Sequence, residues 1–192
     1  FGETTTYEYN DNNQIVKTSS TNGFIDIYTY GANKVNVTTT IPLTNGGGEN
    51  HSIINLRSDG KIVLYSSDMG DTYYTYGSDG LLQKTVSPWN TTVYEWSNGN
   101  IVTETSTNAN DTSITVYTHY TDKENQLSGK YTGATWGPHS KNLNKSRTIT
   151  YSGNTDVFEY SYTFDNEGRV ASRFTKINGT DNPSSTIAVT YY

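Results

Sequence analysis

One pattern of hydrophobic and polar positions recurs along the chain: an aromatic, any residue, a second aromatic, a polar turn, then an aliphatic. Tyr7-Glu8-Tyr9 opens the series, followed by the turn Asn10-Asp11-Asn12-Asn13 and then Ile15-Val16. The pattern returns as Tyr28-Thr29-Tyr30 leading to Val35, Tyr74-Thr75-Tyr76 leading to Leu81, and Tyr94-Glu95-Trp96 leading to Ile101. Its fullest copy is Tyr162-Thr163-Phe164-Asp165-Asn166-Glu167-Gly168-Arg169-Val170, and weaker copies run from Leu56 to Ile62 and from Tyr120 to Leu127. Alternation with period two predicts strands, since successive side chains on a strand point to opposite faces. Aromatic and β-branched residues suit a pleated, half-buried surface. Asp, Asn and Gly tolerate the positive φ of tight hairpin turns. Each copy therefore predicts a β-hairpin.

Joined by short connections, these hairpins predict an all-β fold: an antiparallel meander of about sixteen short strands in a single β-repeat domain over residues 1–192. Two stretches break the repeat, Pro42 to Glu49 with Gly46-Gly47-Gly48, and Gly133 to Leu143. So many strands twist too strongly to stay flat, and the expected form is a sheet curled into a half-barrel or barrel. Its aromatic face would collect Tyr7, Tyr9, Tyr28, Tyr30, Tyr74, Tyr76, Tyr94, Trp96, Tyr160, Tyr162 and Phe164. The opposite face would carry Glu8, Thr29, Thr75, Glu95, Glu159 and Thr163, with Ile53, Val63, Tyr65, Tyr73 and Val93 as apolar exceptions in the middle of the chain.

Composition shifts this picture in one respect. Only 32% of the residues are hydrophobic, yet 17 are tyrosines, so the apolar area is carried largely by rings and an aromatic core is expected. A net charge of −6 with no basic cluster argues against nucleic acid as a partner. No apolar run is long enough to span a membrane as a helix. Cysteine is absent, which excludes disulfides and thiolate metal sites. Abundant Thr, Asn, Tyr and Gly give an extracytoplasmic look.

At Tyr162-Thr163-Phe164-Asp165-Asn166-Glu167-Gly168-Arg169-Val170 the chain resembles the YD repeat of the Rhs family, Y-x-Y-D-x-x-G-R-L. Over most of its length it resembles YD-repeat-like envelope lipoproteins of Gram-negative gut bacteria. That resemblance implies a porin-like half-barrel and a location in the periplasm or attached to the outer membrane. It makes a lipid anchor on a segment ahead of Phe1 the attachment to look for, and it carries no catalytic residues with it.

Candidate chemistry is sparse. His51, His119 and His139 lack the spacing of a metal site, so no metal or other cofactor is expected. Glu8, Glu95, Glu159 and Asp156 are the carboxylates a glycoside hydrolase would need to pair within about 10 Å, but the glutamates sit where a repeat leaves its polar face solvated. Asp165-Asn166-Glu167-Gly168 lacks the alternating ligands of a calcium loop and reads as a turn. Trp89 beside Pro88, and Trp136 in Gly133-Ala134-Thr135-Trp136-Gly137-Pro138, fall outside the repeat, with His139 in the same stretch as Trp136. These three are the candidate ligand-binding residues: loop aromatics anchor sugars and protein partners, and they also plug the ends of curled sheets. The expected function is a non-enzymatic envelope protein that binds a glycan or another envelope protein. A spacer domain without a ligand and a carboxylate-dependent hydrolase are the alternatives.

Overall fold

The computed structural model describes residues 4–127, 138–181 and 187–188. Within them the aromatic pattern forms β1 (Thr5–Tyr9), β2 (Ile15–Ser20), β3 (Ile25–Tyr30), β4 (Lys34–Ile41), β5 (Gly48–Leu56), β6 (Ile62–Ser67), β7 (Gly70–Tyr76) and β8 (Leu82–Val86). There follow β9 (Asn90–Ser97), β10 (Asn100–Asn108), β11 (Thr112–Glu124), β12 (Asn142–Tyr151), β13 (Asn154–Phe164), β14 (Val170–Ile177), β15 (Thr180–Asp181) and β16 (Ile187–Ala188). Strand order follows chain order from β1 to β15, with β16 pairing β14, so the fold is an all-β antiparallel meander. The ladder is linear: among the described residues no pair joins its two ends, and the sheet is open rather than a closed barrel. Between β4 and β5 the chain makes one 3-10 turn, Leu43–Asn45, in place of a long loop, with the Pro42 carbonyl accepting from Asn45 and Gly47 N–H.

Two kinds of turn recur between the strands. In the first, the residue after the strand closes a five-residue loop by donating its N–H to the carbonyl four residues on, at Asn10–Gln14, Arg57–Lys61, Gly77–Leu81 and Asp165–Arg169. The fourth residue of each takes a left-handed φ: Asn13 at 57°, Gly60 at 81°, Gly80 at 77° and Gly168 at 76°. Side-chain carboxylates and amides brace these loops, as where Asp165 Oδ1 accepts from Glu167 and Arg169 N–H at 2.9 and 2.8 Å. In the second kind, two successive left-handed residues make the tight connection: Asn98-Gly99, Ser152-Gly153 and Asn178-Gly179. That geometry matches the twist of the flanking strands.

In four strands the first buried aliphatic brings a bulge with it. Tyr9 pairs Ile15 but Glu8 pairs Lys17, leaving Val16 unpaired. The same one-residue slip leaves out Val63 in β6, Val102 in β10 and Ala171 in β14. A bulge shifts every later residue of its strand to the other face. Tyr65, expected on the polar face, therefore lies on the aromatic one, opposite Ile54. Ile53, Tyr73 and Val93 do stay on the polar face and are exposed.

By their contacts the described residues divide into two compact units, residues 4–75 with 85–88, and residues 76–84, 89–127, 138–181 and 187–188. The first buries Ile15, Val35, Val37, Ile54 and Ile62, and Tyr28, Tyr30, Leu56, Tyr65 and Tyr74 pack half-buried around the cluster. The second buries Leu82, Ile101, Leu143, Tyr160 and Val170. Leu82, not Leu81, is the buried residue of its repeat. The expectation of an aromatic core is corrected accordingly. Aliphatics, joined by Tyr160, form the dry kernel, and the other rings cover it with their polar tips at the rim. Those tips fasten one repeat to the previous one within each unit: Tyr30 Oη donates to the Ile15 carbonyl at 2.9 Å, and Trp96 Nε1 to the Leu82 carbonyl at 2.7 Å.

Candidate functional site

Trp89 occupies a bend between β8 and β9 and is 66% exposed. His139 is exposed in the segment that leads into β12, and Trp136 lies outside the described residues. Trp89 and His139 belong to different connections, separated in strand order by β9, β10 and β11. Of the other histidines, His51 is exposed on the polar face beside Thr38 and Glu49. His119 is half-buried with its Nε2 3.0 Å from Ser140 Oγ, and burial lowers its pKa.

The carboxylates do not assemble into a glycosidase pair. Glu8 is exposed on β1 and ion-paired with Lys17 at 2.7 Å. Glu95 and Glu159 share the polar face of the second unit, but β9 and β13 are four strands apart in the ladder. At about 4.8 Å per strand that is roughly 19 Å, well beyond the glycosidase window of up to about 9.5 Å. Asp156 faces the opposite side from Glu159, three residues along the same strand. It accepts hydrogen bonds from Tyr151 Oη at 2.9 Å and Asn178 Nδ2 at 3.0 Å.

A concave site does appear within the first unit, away from the predicted tryptophans. Cross-strand registers Tyr28–Val37, Val37–Ser52, Asp26–Thr39 and Ile54–Tyr65 bring these side chains to the aromatic face. With Ile62 and Tyr74 they line a cavity of 330 Å³. Its floor is the aliphatic kernel of Val37, Ile54 and Ile62, and its walls are the rings of Tyr28, Tyr65 and Tyr74. The polar contribution comes from Ser52, Thr39 and Asp26. Asp26 is held at both oxygens, Oδ2 accepting from Thr18 Oγ1 at 2.7 Å and Oδ1 from Thr39 Oγ1 at 2.6 Å. A carboxylate offers about four acceptor sites, so lone pairs remain for further donors. Burial, and then the negative charge of Asp26, push the Tyr28 phenol up to about 12, so it is a neutral donor at physiological pH. Burial likewise raises Tyr74, with Tyr65 adding to it. The arrangement can stack a flat, weakly polar ring and accept hydrogen bonds from hydroxyls at one edge. Asp26 went unnoticed in the sequence, although its place two residues before Tyr28 assigns it to the same face.

Comparison with solved structures shows the fold. The chain is similar to a porin-like protein from Bacteroides uniformis, with a TM-score of 0.68 and 17% sequence identity, over 94% of this chain and 86% of that one. No family model matches the sequence, and no curated protein does either. The likeness to YD repeats thus rests on the residues from Tyr162 to Val170 and the degenerate copies of that motif. Among the described residues no helix is long and apolar enough to cross a membrane, which leaves open any crossing by strands.

Proposed function

We propose that this chain is a non-enzymatic cell-envelope protein that binds a saccharide in the tyrosine-lined cavity of its first unit. The observation that supports the reading is the cavity itself: 330 Å³, three tyrosine rings over an aliphatic floor, and a hydrogen-bonded aspartate with Ser52 and Thr39 at its edge. Its volume lies at the lower end of ordinary small-ligand sites, the size for one or two sugar rings. Aromatic walls suit the C–H faces of a pyranose, and Asp26 suits its hydroxyls. An envelope location fits the porin-like neighbour, and a YD-repeat-like identity fits the motif at Tyr162–Val170.

The test is calorimetric titration with a panel of neutral trisaccharides, including maltotriose, cellotriose and xylotriose. At least one should bind, and Asp26→Asn and Tyr65→Leu should each weaken it about ten-fold, the loss of one charge-assisted hydrogen bond or one stacking surface. Trp89→Ala tests the loop anchor separately. If no member of the panel binds, or if binding ignores Asp26 and Tyr65, the cavity reading fails and a ligand-free spacer is the better account.

A further inference from the structure

The chain has four arginines, and the structure treats them in two ways. Arg57 and Arg169 stand on exposed turns, each ion-paired with the aspartate of its own turn, Asp59 and Asp165. Arg147 and Arg173 stand on the aromatic face of the second unit and make no ion pair among the described residues. Registers Arg147–Phe158 on one side of β13 and Arg173–Tyr162 on the other place the two guanidiniums diagonally about Tyr160. Arg147 Cζ lies 4.3 Å from the centroid of the Phe158 ring, and Arg173 Cζ lies 5.3 Å from that of Tyr160. Both side chains are half-buried, and the Nε of each is buried with no hydrogen-bond partner.

Two positive charges have thus been drawn into a partly desolvated aromatic face of a protein whose net charge is −6. The carboxylates on that face do not answer them. Glu104 accepts from Tyr117 Oη at 2.9 Å, and Asp156 is taken by Tyr151 and Asn178. A buried charge without a counter-charge is unfavourable, and so is a buried N–H without an acceptor. Cation–π contact offsets part of this and leaves the Nε–H of each guanidinium without an acceptor. A packing role alone would be served as well by a lysine or methionine stem.

We propose that Arg147 and Arg173, set about Tyr160, form a second binding site in the second unit, one that takes the carboxylate or sulfate of an acidic saccharide. The planar guanidinium fork matches either oxyanion. Tyr160, Tyr162 and Tyr120 lie beside it as a surface for the attached ring, Tyr120 and Tyr162 meeting edge-on at 6.0 Å between centroids. Burial raises the Tyr160 and Tyr162 phenols while the arginines pull them down, so neither adds negative charge beside the anion, and Tyr162 Oη is fixed by donating to the Asn144 carbonyl at 3.0 Å. The saccharide nature of the ligand rests on the function proposed above; the oxyanion preference rests on the arginines.

The probes are tri-galacturonate, its fully methyl-esterified form and a sulfated galactotriose. Wild-type protein should bind at least one acidic probe ten-fold or more tighter than the ester. Tighter binding of tri-galacturonate identifies the carboxylate as the source, and of the sulfated trisaccharide, the sulfate. Arg147→Gln and Arg173→Gln should each abolish that preference while leaving the titration of the neutral trisaccharides unchanged. A measurement that needs no variant guards against misfolding: of the four arginine Nε–H resonances, two should shift when the acidic probe is added and none with the ester. Equal binding of acid and ester, a preference that survives both substitutions, or shifts confined to Arg57 and Arg169 would overturn the proposal. These results are independent of whether Asp26→Asn weakens neutral sugars, so the two sites fail separately.

Discussion

Gly60 and Gly70 lie in successive turns of the first unit, and replacing each with alanine separates two reasons for glycine. Gly60 is the fourth residue of the Arg57–Lys61 loop, with φ 81° and nothing within 4 Å of an added Cβ. Gly60→Ala therefore meets only the left-handed backbone cost of about 1–2 kcal/mol. Reduced freedom of the unfolded chain offsets about 0.4–1 kcal/mol of that. The net is a loss of about 1.6 kcal/mol at most. Gly70 has φ 111°, and an added Cβ would lie 2.5 Å from Pro88 Cγ in the same unit. A proline ring cannot rotate away. Gly70→Ala therefore carries backbone strain of about 1–3 kcal/mol and overpacking of about 1–3 kcal/mol together, a loss of about 2–6 kcal/mol. Hydrogen-exchange mass spectrometry on peptides spanning β5 to β7 reads both values as opening free energies, without requiring the whole chain to unfold in one step. Gly60→Asn serves as the control. It should be nearly neutral, because Asn13 already occupies the equivalent turn position at φ 57°. If Gly60→Ala costs as much as Gly70→Ala, the contact with Pro88 is not what fixes glycine at position 70.

Two further outcomes follow from the turns and the rings. Asp165 braces its loop through Glu167 and Arg169 N–H and through Arg169 Nε at 2.8 Å; burial works against its ionisation, but these contacts together hold its pKa below the usual value. Asp165→Ala should lower stability in urea titration, and Asp165→Asn by less than half as much, since Asn10 makes the equivalent backbone contacts with Oδ1. Tyr28 and Tyr162 are both raised to about 12, by burial first. A phenol that holds its proton more tightly when folded contributes stability that is complete below pH 10 and is lost as pH rises toward 12. Absorbance at 295 nm should show a late-titrating group of tyrosines in the folded protein and a single transition near 10 in urea; one transition near 10 in both would refute the burial.

Period-two alternation made the strands, the meander and the aromatic face readable, because a half-buried strand has to alternate. The kernel was misread for a physical reason. Seventeen tyrosines dominate the count of apolar area, but a phenol needs water or an acceptor at its tip, so most rings, Tyr160 excepted, stop at half-burial and the aliphatics go dry. The tryptophans drew attention because they interrupt the repeat. The cavity and the arginines instead lie inside it, at polar positions whose face follows only from register.

That register turns on the bulges, which left a trace in the sequence as aliphatic doublets or near-doublets: Ile15-Val16, Ile62-Val63, Ile101-Val102 and Val170-Ala171. In each, the first residue is buried and the second is the unpaired one. Without the bulge, the residue three places after the buried one would point to the polar face; with it, that residue joins the aromatic face. The four residues so placed are Thr18, Tyr65, Glu104 and Arg173. Thr18 donates to Asp26, Tyr65 walls the cavity, Glu104 receives Tyr117, and Arg173 sits over Tyr160. Unlike the aromatics and the turn, this position differs in chemistry at every copy. A position that the fold does not constrain to be aromatic or aliphatic, yet delivers to the concave site or beside the unpaired arginine, is where a packing repeat can differentiate into binding sites. The bulge is thus the point at which the repeat stops specifying structure alone, and the chemistry proposed for both units begins three residues after the buried aliphatic.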